Sequence, residues 1–186
     1  KDAYLDPRVI DSSLTGVGIG QAQQLRNQCD LIAPISIILV SPLTRCLETT
    51  EEMMHGFLHK PRVIALDELI EWAATDTPNH RKPVSMLRER FPFVDFTNIQ
   101  SDRSVPLSDS IYALQERIDA FRSFVTSLGE DERIMVVGHT SWFNKLIFND
   151  VKRTDLQHAH IYEASDDDPS ALKDLNFQPG EPISNL

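Results

Sequence analysis

The sequence is poor in several things at once. Cysteine occurs only twice in 186 residues, at Cys29 and Cys46, with no close pair and no cysteine-rich ligand pattern. Reduced, buried thiols in a cytoplasmic or nuclear protein fit that usage, with a disulfide between the two as the alternative. No apolar run approaches the ~20 residues of a membrane span, so no membrane partner is expected. No signal-peptide pattern is visible; the chain opens at Lys1 without a Met, so its true start is expected upstream. Basic residues are outnumbered, 18 Lys and Arg against 28 Asp and Glu, for a net charge of −10. A broad nucleic-acid face needs a basic stripe, so no nucleic-acid partner is expected. A local basic pocket for a small anion is still allowed. There is no P-loop and no strand-linked G-x-G-x-x-G. Gly16, Gly18 and Gly20 precede a helical pattern but follow a loop, which argues against a dinucleotide-binding domain. No internal repeat and no second domain boundary is found.

What remains is an ordinary globular composition, 41% hydrophobic and 25% charged, with length enough for one sizeable core. Its most telling segment is Ile134-Met-Val-Val-Gly-His139, an apolar β-favouring run that ends in a Gly and a His. A second such run, 35–40, ends in Ser41-Pro42-Leu43-Thr44-Arg45. In open α/β sheets ligands bind beyond the carboxyl ends of the strands. If these strands are parallel neighbours, an imidazole and a guanidinium share one site. That pair suits a phosphate group: Arg supplies a planar fork of donors, and His hydrogen-bonds or moves a proton.

Residues 1–13 read as loop, followed by a helix capped by Thr15 and running to about Asn27. Its glycines weaken the first turns and suggest close approach to a neighbouring strand. Further helices are expected over about 42–57, 84–90, 110–128 and 141–149, and further strands over 62–66, 134–137 and 158–162. The helix after Ser108-Asp-Ser110 keeps Ile111, Leu114, Ile118, Phe121 and Val125 on one face and stops at Gly129. Residues 73–83 read as a polar excursion over the surface, 91–108 as irregular, and 166–186 as an irregular tail. Alternating strands and helices predict a three-layer α/β/α sandwich around a mostly parallel sheet. His158 and His160 share a strand face but lack further ligands, so no metal site is expected.

Several patterns together resemble the histidine phosphatase superfamily, also called phosphoglycerate mutase-like. They are Leu14-Thr15-x-x-Gly18-x-x-Gln21-Ala22, Ser41-Pro42-Leu43-Thr44-Arg45-Cys46-Leu47-Glu48-Thr49, Leu69-Ile70-Glu71, Ser108-Asp109-Ser110 with Arg117, and Val137-Gly138-His139. Asp76-Thr77 followed by Phe91-Pro92-Phe93-Val94-Asp95-Phe96 is most similar to the plant and fungal branch. The match covers residues 14 to about 150 and implies a single domain over 1–165. The family's Arg-His-Gly motif, which carries the nucleophilic His at the end of the first strand, is not among these residues. The resemblance places it a short way upstream of Lys1, so an apolar edge is expected where that strand would pair. Thr140 stands where the family usually has Gly.

The resemblance implies a phosphomonoester hydrolase working through a phosphohistidine, with no cofactor and no metal. Its partner would be a small phosphorylated substrate or inorganic phosphate. Arg45 would clamp phosphoryl oxygens, His139 would be the second, phosphate-facing His, and Thr140 would present backbone N–H groups at a helix start. Glu71 would be the proton donor, with Trp72 helping to desolvate it and Glu68 close enough to be confused with it. His80 and Arg81 would steer the substrate, the plainer reading of His80-Arg81-Lys82 being a solvated basic turn. Trp142 and Phe143 read as core before substrate platform. The rival function is a catalytically silent family member used as a binding or scaffold module.

Overall fold

The computed structural model describes residues 10–29, 34–72, 77–103, 110–129, 131–152, 162–163 and 173–174. Helix α1 spans Gly16–Arg26, and the Thr15 hydroxyl caps it by accepting the Gly18 N–H at 3.1 Å. Strand β1 (Ile37–Val40) leads into α2 (Thr44–Met54). Strand β2 (Arg62–Ala65) is followed by a 3₁₀ turn over Asp67–Leu69 and another over Thr77–Asn79. Then come α3 (Val84–Arg90), β3 (Val94–Asp95), α4 (Ile111–Ser127), β4 (Ile134–Val137) and α5 (Thr140–Phe148). Ser110 caps α4 through its hydroxyl, and Gly129 ends it at φ +99. Asn149 ends α5 in the left-handed region, which Asn tolerates.

The main sheet has the order β3-β2-β1-β4, and every pairing in it is parallel. Ile37 faces Ile134 and Val40 faces Val137, so β1 and β4 end together. Side chains of a strand alternate between faces, and the core splits accordingly. Ile38, Val40, Val63 and Ala65 pack with Leu25 of α1, Leu47 and Met53 of α2, and Leu87 of α3. Ile37, Leu39 and Ile64 pack with Leu114, Ile118 and Phe121 of α4 and Trp142 of α5. Helices therefore cover both faces, giving the expected three-layer α/β/α sandwich. All four β1 residues are fully buried. The four β4 residues are each partly exposed, because among the described residues β4 is paired only along its β1 side.

Three expectations are corrected. Residues 91–108 are not wholly irregular, since Val94–Asp95 adds a parallel strand beside β2. Within the tail, Lys173–Asp174 (β6) pairs antiparallel with Tyr162–Glu163 (β5); His158, His160 and the rest of the tail lie outside the described residues. The glycines of α1 approach no strand: nothing lies near a Cβ built on Gly16 or Gly20, and Gly18 meets only Leu14 and Thr15. The close approach is at Gly56, where a Cβ would lie 2.0 Å from the Arg26 carbonyl oxygen.

Candidate active site

The carboxyl ends of β1 and β4 deliver side chains to the same point. Ser41 and Arg45 follow β1, and His139 follows β4 and precedes α5. Arg45 Nη2 lies 3.2 Å from His139 Nδ1. Its other donors are held by the Pro78 carbonyl at 3.0 Å and Asn79 Oδ1 at 2.9 Å. A guanidinium can only donate, so Nδ1 accepts and the ring carries its proton on Nε2. Nε2 in turn lies 2.9 Å from Ser41 Oγ, which receives that proton's hydrogen bond. The His139 ring is buried, and burial together with the charges of Arg45 and Arg117 pulls its pKa well below the ordinary histidine range. It is a neutral imidazole with a fixed tautomer. The Cys46 thiol packs against the same ring at 3.6 Å from Nε2. Burial pushes that thiol up to about 12, so it stays protonated and unreactive.

Glu71 comes from the segment after β2. Its Oε1 accepts the Trp72 N–H at 2.7 Å. Burial raises its pKa above the ordinary carboxyl value, and the N–H groups of Trp72, Ser141 and Trp142 and the Arg45 charge hold it down. The first turn of α5 thus faces a carboxylate supplied by the chain itself. Thr140 is the first residue of that helix, so the Thr at the family's Gly position does not prevent the helix from starting. Trp142 is wholly buried against Phe121, which settles it as core, and its indole N–H bonds the Glu68 carbonyl at 2.7 Å.

Residues 77–83 are no free excursion. Asn79 is buried, with its amide reaching the Trp72 carbonyl at 3.3 Å while its oxygen holds Arg45. Arg81, expected to steer substrate, is 2% exposed. Its donors go to both Asp67 oxygens, at 2.7 and 3.0 Å, and to the carbonyls of Lys82, Ser101, Asp102 and Arg103. With its fork spent on protein acceptors, Arg81 is a clamp between segments and not a substrate-facing cation. Lys82 is also no solvated turn residue, since its Nζ reaches the Asp11 carbonyl and Thr44 Oγ1, each at 3.2 Å. His80 is partly exposed beside them.

Sequence reading missed three contributors. Ser41 accepts the His139 Nε2 hydrogen bond across 98 positions of sequence; the signal was a hydroxyl at the end of one strand whose neighbour ends in His. Asn79 orients Arg45, and no local pattern marks it. Asp11 accepts the N–H and hydroxyl of Thr44, at 2.6 and 2.8 Å, at the N-terminus of α2.

A doubly covered parallel sheet brings a guanidinium, a neutral imidazole and a raised carboxyl to its carboxyl edge, the place where open α/β sheets bind ligands. The chain belongs to the histidine phosphatase superfamily (branch 1), whose family model matches residues 7–184. No curated protein matches. Several solved structures share the fold. An ecdysone phosphate phosphatase from the silk moth Bombyx mori, in complex with tungstate, matches with TM-score 0.53 and 18% identity over 81% of this chain and 62% of its own. A phosphoserine phosphatase from Entamoeba histolytica, with 3-phosphoglyceric acid, gives TM-score 0.52 and 18% identity over 82% and 77%. A candidate alpha-ribazole-5'-P phosphatase from Escherichia coli gives 0.51 and 21% over 74% and 66%. The chain thus spans less than two thirds of the first and last of these.

Proposed function

We propose that this protein is a phosphomonoester hydrolase of the histidine phosphatase type, acting on a small phosphorylated substrate through a phosphohistidine. The single observation that carries the reading is the meeting of Arg45, His139 and Glu71 at one sheet end in a chain of this family. The three solved neighbours named above are phosphatases by name, which agrees with it. Arg45 and His139 hold phosphoryl oxygens, and the start of α5 at Thr140 adds backbone N–H groups. In this reading the nucleophile is the His of the family's Arg-His-Gly motif. Its nitrogen bonds to phosphorus as the phosphorus–alkoxide bond breaks, and Glu71 passes its proton to the departing oxygen. Water then displaces the histidine, returning a proton to Glu71 and releasing phosphate. Burial suits Glu71 to the role because it keeps the acid protonated to higher pH.

The second reading is a catalytically silent binding module. It is favoured by Thr140 in place of Gly. The test is hydrolysis of nitrophenyl phosphate by the intact protein in excess chelator, alongside vanadate binding. The expected result is turnover that survives the chelator and is lost in Arg45→Ala. Vanadate binding without turnover gives the silent module; turnover that returns only with a divalent ion refutes the histidine mechanism.

A further inference from the structure

Arg117 lies on α4, against the segment that leads to Glu71. Its Nη1 donates to the Glu68 carbonyl at 3.2 Å and also to the Ile70 carbonyl. The guanidinium therefore grips the backbone on either side of Leu69, one residue short of Glu71. Its Nε and Nη2 are buried and have no hydrogen-bond partner among the described residues. A guanidinium stays charged in proteins, and idle donors in the interior forfeit the hydrogen bonds they made to water. Such a group calls for an acceptor that arrives at some stage of the protein's work.

Three carboxylates act on Arg117, in the order Glu71, Glu68, Asp67. Asp67 is already spent on Arg81. Glu71, the strongest, is held at present by backbone N–H groups of Trp72, Ser141 and Trp142. We infer that Arg117 is a positioning residue for Glu71: it fixes the loop that carries the acid, and its idle Nε–H and Nη2–H receive the Glu71 carboxylate once the proton has gone to the leaving oxygen. The inference rests on Glu71 being the general acid. Proton balance is simple. Glu71 loses a proton to the alkoxide, the new carboxylate pairs with a guanidinium that keeps its charge, and the attacking water later restores the proton.

Among the described residues, the groups that act on Glu71 come from several packed elements. They are the cations Arg45 from α2 and Arg117 from α4, the N–H groups at the start of α5, and the Trp72 N–H from its own segment. The Cys46 thiol and the His139 ring nearby are neutral. Removing Arg117 thus removes one of two cations facing the acid, and the carboxylate form must suffer.

The experiment uses Arg117→Met and Arg117→Lys in the intact protein. Side-chain carbon NMR follows the Glu71 carboxyl, assigned with Glu71→Gln. In Arg117→Met the Glu71 pKa is expected to rise by about one unit, the low end of what a nearby opposite charge supplies. Turnover of an alkyl phosphate should fall by roughly 10–10²-fold, part of the usual worth of general acid catalysis, and nitrophenyl phosphate should lose far less. Phosphate affinity should hold. Arg117→Lys keeps the charge and loses the fork, so it should spare the pKa and still slow the alkyl substrate; it carries the test if Arg117→Met does not fold. An unmoved Glu71 resonance in a folded Arg117→Met, a shift seen at Glu68 in its place, or equal losses on both substrates would overturn the inference. If the parent hydrolyses neither substrate, the proposed function fails, and the titration alone still decides whether Arg117 governs Glu71.

Discussion

His139 sits between a cation that can only donate and a hydroxyl that can do either, so its protonation state is written into its neighbours. The fold favours the neutral ring, which has a consequence for stability against pH. Its pKa in the folded protein lies well below the ordinary 6.5. The unfolded chain therefore binds the extra proton first as pH falls, and the native state loses ground. The contribution is whole above pH about 6.5 and drains away as pH drops towards the folded value. Urea unfolding between pH 5 and 8 should show stability rising with pH, and His139→Gln should flatten that slope. A parent slope unchanged by the substitution would place the acid sensitivity elsewhere among the six histidines. At this scale the sequence exposes the end members of the site and hides the links. Arg45 and His139 are visible because each ends an apolar run. Ser41 to His139, Arg45 to Asn79 and Arg117 to the Glu68 carbonyl are bonds across the fold, and they depend on which strands become neighbours.

At the scale of elements, the helices were legible where a cap or a stop names their ends. Thr15, Ser110 and Gly129 are such signals, and α1 and α4 lie within a residue or two of their expected bounds. The start of α2 also falls within two residues of its expected place, but its partner Asp11, reaching in from 33 positions away, left no local signal. Asp11 takes two donors from Thr44 and the Lys82 N–H, and holds φ at +49, a costly conformation that this network maintains. Glycines at this scale carry opposite expectations. Gly20 stands inside α1 with open space around its Cβ site, so Gly20→Ala should stabilise by up to ~1 kcal/mol through helix propensity. Gly56 lies where α1 and α2 touch, and its Cβ would meet the Arg26 backbone. Gly56→Ala should cost roughly 1–3 kcal/mol, as overpacking does. Denaturant midpoints of the two variants, read against the parent, check both signs.

Among the described residues two apolar layers pack on the four-stranded sheet, and the alternation of β1 and β2 between those layers explains why their sequences read as unbroken apolar runs. Residue spacing predicted this architecture. It could not predict β3, whose two residues are too short for any periodicity and gain their strand character from pairing with β2. Nor could it show that 77–83 folds back to hold Arg45, since polar residues between two prolines look the same whether they are anchored or free. The partly exposed β4 has a consequence in time as well as in space. A parallel strand paired on one side leaves every second amide facing outward, open to exchange with solvent. Deuterium should enter those outward amides of β4 far sooner than any of β1, which is flanked on both sides. If a longer form of the protein adds a strand along that edge, the same amides should fall silent while β1 and β2 keep their rates. Exchange at the outward two of the four β4 residues would then report whether such a strand has docked.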